Sequence, residues 1–311
     1  MTAREEVLVD VGRGIELCYD QTGDPADPPI LLIAGLGQQL HSWPNDFVAA
    51  LAGRGFRVTR FDNRDAGRST HMSYPPPNPV AVCRGRNQYH LGDMARDTVG
   101  LLDALGYVDA HLVGISMGGM IAQTVAAHHP GRVRTLTSIM STTGAPRLGR
   151  PALSTWRRML TLRPPRTRAE TMDRAANMFR HIGSHGFPYD EHAVREYAGI
   201  AWDRDPSPAG IVRQLAGIFA SGDRTTELGH IDVPTLVIHG DRDRMVHPTG
   251  GSATARAITG ARFETITGLG HDLPIGAWGR IIDLITDHAT SVGFAAHRAA
   301  PVTHTELEEH A

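Results

Sequence analysis

The sequence of 311 residues is poor in cysteine and aromatics and carries no surplus of charge of either sign. Two cysteines, Cys18 and Cys83, are too few for a disulfide framework and lack the paired spacing of metal ligands. Lysine and arginine total 31 against 33 aspartates and glutamates, a formal net charge of -2. That near-balance argues against a nucleic-acid-binding surface, which needs basic residues massed on one element. The nearest basic cluster, Trp156-Arg157-Arg158 followed by Arg163, Arg166 and Arg168, reads as a solvated helix face and loop. No run approaches the roughly 18 apolar residues of a membrane span. The first ten residues, MTAREEVLVD, put acidic side chains where a secretory signal would have an apolar stretch. These absences lead us to expect a soluble, cytoplasmic protein with neither nucleic acid nor membrane as partner. With 41% hydrophobic residues, the chain can fill one large core or a core with an insertion.

Short apolar runs alternate with longer helical patterns. Val7–Val9 and Ile15–Tyr19 flank a Gly-Arg-Gly turn and read as a hairpin. Strands are expected at Ile30–Ala34, Phe56–Phe61, Ala110–Ile115, Val133–Met140, Pro234–His239 and Ala261–Ile266. Helical spacing marks Phe47–Leu51, Leu91–Leu105, Met117–His128 and Trp278–His288. Residues 70–90 hold four prolines and no periodicity, so a long exposed loop is expected there. Strand–helix alternation of this kind predicts an α/β fold with a mostly parallel sheet covered on both faces. Between 141 and 228 the strand pattern stops and only helical segments punctuated by Pro and Gly follow. We therefore expect residues 1–140 and 229–295 to form the core, 141–228 a helical cap, and 296–311 a flexible tail.

At the end of one apolar run stands Leu112-Val113-Gly114-Ile115-Ser116-Met117-Gly118-Gly119. Glycine two residues before and two after a serine, between a strand and a helix, is the pattern of a nucleophile elbow. The serine there sits in a strained backbone conformation that side chains at those two positions would block, and Gly119 would let the helix pack close. A hydroxyl is a poor nucleophile until a base takes its proton. Of the 17 histidines, His271 in Gly268-Leu269-Gly270-His271-Asp272 follows the last strand directly. A carboxylate must fix the tautomer of that base. Asp243, in His239-Gly240-Asp241-Arg242-Asp243, is the best candidate and Asp241 the runner-up. An oxyanion needs two backbone N–H groups. Met117 supplies one, and Leu36, in Ala34-Gly35-Leu36-Gly37, supplies the other.

Taken in order, the AGLG loop at 34–37, GISMG at 114–118, HGDRD at 239–243 and GLGHDLP at 268–274 resemble the α/β-hydrolase superfamily over about residues 5–290. Phe61-Asp62-Asn63-Arg64-Asp65-Ala66-Gly67-Arg68-Ser69 is similar to its FDxRGxGxS turn and reads as structural support for the loops near the elbow. The sequence looks most like bacterial carboxylesterases with a helical cap, including the mycobacterial LipG-like esterases and the aclacinomycin methylesterases. Ala34 departs from the family pattern, which has histidine before the first oxyanion glycine. The resemblance implies a serine carboxylester hydrolase that takes a small, short-chain ester and needs no metal or organic cofactor. Lactonases, C–C bond hydrolases and perhydrolases share the same three residues, and a non-catalytic binding protein is a further alternative. Trp202, Ile211, Leu215, Ile218 and Phe219 could line an acyl pocket, but at helical spacing they read first as packing of cap on core.

Overall fold

A computed structural model describes residues 5–84, 88–161 and 165–292. The first strands, β1 (Val7–Asp10) and β2 (Glu16–Thr22), form the expected antiparallel hairpin. After β3 (Pro29–Ile33) come α1 (Asn45–Ala52) and β4 (Arg57–Phe61). Next are α2 (Pro79–Cys83), α3 (Leu91–Ala104), β5 (Ala110–Ile115), α4 (Met117–His128) and β6 (Val133–Ile139). Five helices then intervene: α5 (Leu153–Thr161), α6 (Arg168–Ile182), α7 (Glu191–Arg204), α8 (Ala209–Ser221) and α9 (Thr225–Leu228). The chain returns to the sheet with β7 (Thr235–Gly240), α10 (Thr249–Ala257), β8 (Arg262–Ile266) and α11 (Ile275–Thr290).

The eight strands lie in the order β1-β2-β4-β3-β5-β6-β7-β8. β2 runs antiparallel to both neighbours, and every pair from β4 to β8 is parallel. Strand periodicity decides which layer each side chain enters. Leu31 and Ile33 of β3 and Leu112 of β5 join the cluster under α3 and α4. Ile30 and Leu32, with Val113 and Ile115, face the cluster holding α1 and α11. All five residues of β3 and all six of β5 are buried, as a doubly covered parallel sheet requires. The chain leaves β3 toward β4 on one side and then places β5 on the other. The carboxyl ends of β3 and β5 therefore flank a switch point, the crevice where such sheets bind ligands.

Two expectations need correction. Residues 70–84 and 88–90 are not a plain exposed loop. Pro79 opens α2, where a missing N–H costs nothing, and Asn78 caps it by accepting from the Ala81 N–H at 2.9 Å. Tyr89 is buried and donates its hydroxyl to Asp65 at 2.9 Å. The last helix begins at Ile275, a turn earlier than its apolar spacing suggests, because Pro274 sets its start. The expected tail at 296–311 and Arg163 of the basic cluster lie outside the described residues.

Among the described residues, no strand lies between β6 and β7. In that stretch α6 packs on α7, whereas α8 rests on α2 and α3, and α9 on α4 and α10. Leu228 of α9 belongs to the sheet's own core cluster. Two arginines fix α7 and α8 to the turn after β4. Arg204 bonds Asp62 at 2.7 Å and Glu6 at 2.8 Å. Arg213 bonds both oxygens of Asp65, at 2.7 and 2.9 Å. All four side chains in the Arg204–Asp62 and Arg213–Asp65 pairs are buried. The turn also supports the elbow side as expected: Asn63 donates to the Ala34 carbonyl at 3.1 Å.

Candidate active site

Ser116 stands between β5 and α4 with φ 55 and ψ -118, a conformation that costs a non-glycine residue about 1–3 kcal/mol. Its surroundings hold it there. Its N–H donates to the Ile139 carbonyl at 2.9 Å, and its own carbonyl accepts from the Ser141 hydroxyl at 2.8 Å. The flanking glycines are set by close approach. A Cβ on Gly114 would lie 2.1 Å from the Gly118 carbonyl oxygen, and one on Gly118 would lie 2.1 Å from that of Ile33.

The three residues predicted from the sequence come together across the carboxyl edge of the sheet. His271 Nε2 lies 3.1 Å from Ser116 Oγ, and His271 Nδ1 lies 2.7 Å from Asp243 Oδ2. The Asp243 side chain is fully enclosed and His271 nearly so. Burial pushes the Asp243 carboxyl up, but the His271 charge and the hydrogen bonds from His239 and His271 outweigh it. The net effect holds the carboxyl well below the usual carboxylate range. Asp243 Oδ1 accepts from the Met245 and Val246 N–H groups, both at 2.8 Å. Asp241 is not part of this arrangement; its carboxylate accepts from the Gly268 N–H at 2.7 Å and steadies the loop that carries His271.

In the loop after β3, four N–H groups around Leu36 already have acceptors. Gly35 donates to Gln38 Oε1 at 3.1 Å, Gly37 to Gln214 Oε1 at 2.8 Å, Gln38 to the Gly35 carbonyl at 3.1 Å, and Gln39 to the Tyr197 hydroxyl at 3.2 Å. Among the described residues nothing accepts from Leu36 N–H, nor from Met117 N–H at the start of α4. The first turn of a helix leaves its N–H groups unpaired and favours negative charge.

Several supporting residues had no local signature in the sequence. His239 sits 3.4 Å from Asp243 and bonds the Val246 carbonyl at 2.8 Å. Ser184, between α6 and α7, donates its hydroxyl to Asp272 at 2.5 Å and accepts from the Gly270 N–H at 2.8 Å. The His271 N–H donates to the Ile182 carbonyl at 2.8 Å, so the helical segment braces the histidine loop directly. Gln214, wholly buried on α8, accepts from Gly37 and donates to the Arg64 carbonyl at 2.8 Å. Only HGDRD offered a hint, since its histidine precedes Asp243 by four residues, on the same edge.

Beside this arrangement opens a pocket of about 270 Å³. Ile115, next to Ser116, and Asp272, next to His271, both line it, with Phe179, Tyr189, Tyr197 and Trp278. None of the five apolar cap residues singled out in the sequence lines it. Ile211 and Phe219 are exposed, and Ile218 packs against the core.

Residues 28–276 match the family described as the alpha/beta hydrolase fold. The chain belongs to the α/β-hydrolase family. Rhodomycin D methylesterase DauP of Streptomyces sp. (strain C5) is 30% identical over 299 residues, covering 88% of this chain and 95% of the relative. Rhodomycin D methylesterase DnrP of Streptomyces peucetius is 29% identical, with 88% and 95% covered. Among solved structures, the enol-lactonase from Burkholderia xenovorans LB400 superposes with a TM-score of 0.70 at 25% identity, over 89% of this chain and 98% of that one. Among the described residues of this α/β hydrolase, no helix is long and apolar enough to cross a membrane.

Proposed function

We propose that this α/β hydrolase is a serine carboxylester hydrolase working through an acyl-enzyme. The observation that carries this reading is the continuous contact from Ser116 Oγ to His271 Nε2 (3.1 Å) and from His271 Nδ1 to Asp243 (2.7 Å). Ser116 Oγ attacks the acyl carbon while His271 takes its proton. Asp243, held ionised, keeps Nδ1 protonated so that Nε2 is the base, and it stabilises the imidazolium. The unpaired N–H groups of Leu36 and Met117 receive the oxyanion. His271 then returns the proton to the departing alkoxide, which leaves as the alcohol. A water deprotonated by His271 attacks the acyl-serine, and the acid is released as Ser116 regains its proton. This cycle needs no metal or organic cofactor.

The methylesterase relatives favour an ester over the other bonds that a Ser-His-Asp set can cleave. The likeness to an enol-lactonase keeps a cyclic ester as a second reading. We further assign the helices between β6 and β7 the role of a cap over the site, since Phe179, Tyr189 and Tyr197 wall the pocket. Ser116→Ala is expected to abolish turnover of p-nitrophenyl acetate. A folded variant with wild-type turnover would overturn the assignment, and a panel adding lactones and methyl esters separates the two readings.

A further inference from the structure

The charged side chains that line the pocket beside the triad are of one sign. Asp190 and Asp272 are present, and among the described residues neither lysine nor arginine lines it. His41, at one wall, is the remaining basic group. Burial, joined by the charges of Arg60 and Arg204, pushes its pKa down, so it is neutral at neutral pH. Arg180 stacks on Tyr189 with its guanidinium 5.6 Å from the ring centroid, but it does not line the pocket and is paired with Glu191.

The two carboxylates are held differently. Asp190 caps α7, accepting from the Ala193 N–H at 2.9 Å. Asp272 accepts both the N–H (2.8 Å) and the hydroxyl (2.5 Å) of Ser184 on one oxygen, Oδ1. Among the described residues no donor is bonded to Oδ2 and neither lysine nor arginine is paired with the group, although the charge of the adjacent His271 acts on it. Burial already opposes its charge and raises its pKa. A second anion beside it would lose its own hydration, gain no lysine or arginine partner and meet a like charge. Other lining residues, Phe179, Tyr197, Leu273 and Trp278, offer an apolar group contact without such a cost.

We propose that this pocket takes an uncharged, apolar portion of the ester, and that Asp272 is a specificity-determining residue that rejects substrates bearing a carboxylate there. The inference rests on the serine-ester reading of the neighbouring site. It narrows the substrate class to esters whose acid or alcohol part in contact with α6, α7 and α11 carries no negative charge.

The test uses the full chain and two matched pairs. One places the charge on the acyl side, p-nitrophenyl butyrate against mono-p-nitrophenyl succinate. The other places it on the alcohol side, phenyl acetate against 3-carboxyphenyl acetate. Each kcat/KM is referred to the ester's rate with hydroxide. For at least one pair the charged member should fall behind by about tenfold or more, the scale of a like-charge contact at intermediate dielectric. Asp272→Asn should narrow that ratio several-fold, and Val194→Lys, which adds a cation to the same lining, should narrow it independently if the first variant folds poorly. Equal handling of charged and neutral esters in both pairs would overturn the proposal, as would a ratio that neither variant changes. Failure of every ester, together with no labelling of Ser116, would instead remove the serine-ester reading beneath it.

Discussion

Gln214→Leu probes whether the helical segment takes part in catalysis at a distance. Gln214 is wholly buried and joins α8 to two parts of the core, accepting from Gly37 and donating to the Arg64 carbonyl, each at 2.8 Å. Leucine nearly keeps the volume and removes both bonds. The orphaned, buried Arg64 carbonyl costs about 1–3 kcal/mol and the part-buried Gly37 N–H less, so stability should fall by about 2–4 kcal/mol. Gly37 is the next residue after Leu36, whose N–H we assign to the oxyanion, and its anchor is lost. Complete loss of one oxyanion donor costs about 100- to 1,000-fold in kcat. A displaced donor should forfeit part of that, so kcat is expected to drop about 10- to 100-fold, with KM changing less than about threefold. The assay is steady-state hydrolysis of p-nitrophenyl acetate alongside thermal melting of the same preparation. Gln214→Glu supplies a sharper readout. Its carboxylate can still accept from Gly37 but repels the Arg64 carbonyl until it is protonated. Activity of Gln214→Glu relative to wild type should therefore rise as the pH is lowered. A folded Gln214→Leu with wild-type kcat, or a Glu variant whose relative activity ignores pH, would refute the coupling.

Three further outcomes are expected. Burial pushes His111 on β5 down to about 4, with the charges of Arg134 and His288 adding to the effect. The unfolded chain then binds more protons between about pH 6.5 and 4, so stability is full above that window and declines as pH falls through it. From pH 7 to 5 the loss should be about 2 kcal/mol by urea unfolding, and His111→Gln should flatten that slope; an unchanged slope would contradict the assignment. Arg204→Met leaves Asp62 and Glu6 without their buried partner and should cost about 3–5 kcal/mol in calorimetry, whereas a loss near zero would mean that the network is hydrated. Gly118→Ala puts a Cβ 2.1 Å from the Ile33 carbonyl oxygen. It should yield either insoluble protein or a marked drop in melting temperature, and a wild-type melt would show that α4 can retreat from β3.

The sheet was legible because its strands are short apolar runs, and their period decides which core layer each side chain fills. The Ser116, His271 and Asp243 positions were legible for a related reason: each stands just past the end of a strand, where sequence order alone places it on one edge. What escaped the sequence depends on contacts between distant stretches. Gln214 reaches Gly37 across 177 residues and Ser184 reaches Asp272 across 88, and nothing in the neighbourhood of either glutamine or serine marks the partner. The turn at 61–69 was read as support for the elbow, and its second use, receiving Arg204 and Arg213 from α7 and α8, could not be seen in it. The pocket walls were not legible, because helical apolar spacing such as that of α8 reports that a face is covered without saying by what. Tyr197, a wall residue on α7, has its hydroxyl tied to the Gln39 N–H, a bond that only the folded chain displays.

The central claim is that Ser116 is the nucleophile, activated by His271 and Asp243. Its most direct test is intact-mass and peptide mass spectrometry after treatment with a fluorophosphonate probe. The account predicts one adduct per chain, located on the peptide containing Gly114-Ile115-Ser116-Met117-Gly118, slowed by His271→Ala and absent from Ser116→Ala. An adduct on another residue, or ester turnover that survives complete modification of Ser116, would contradict it.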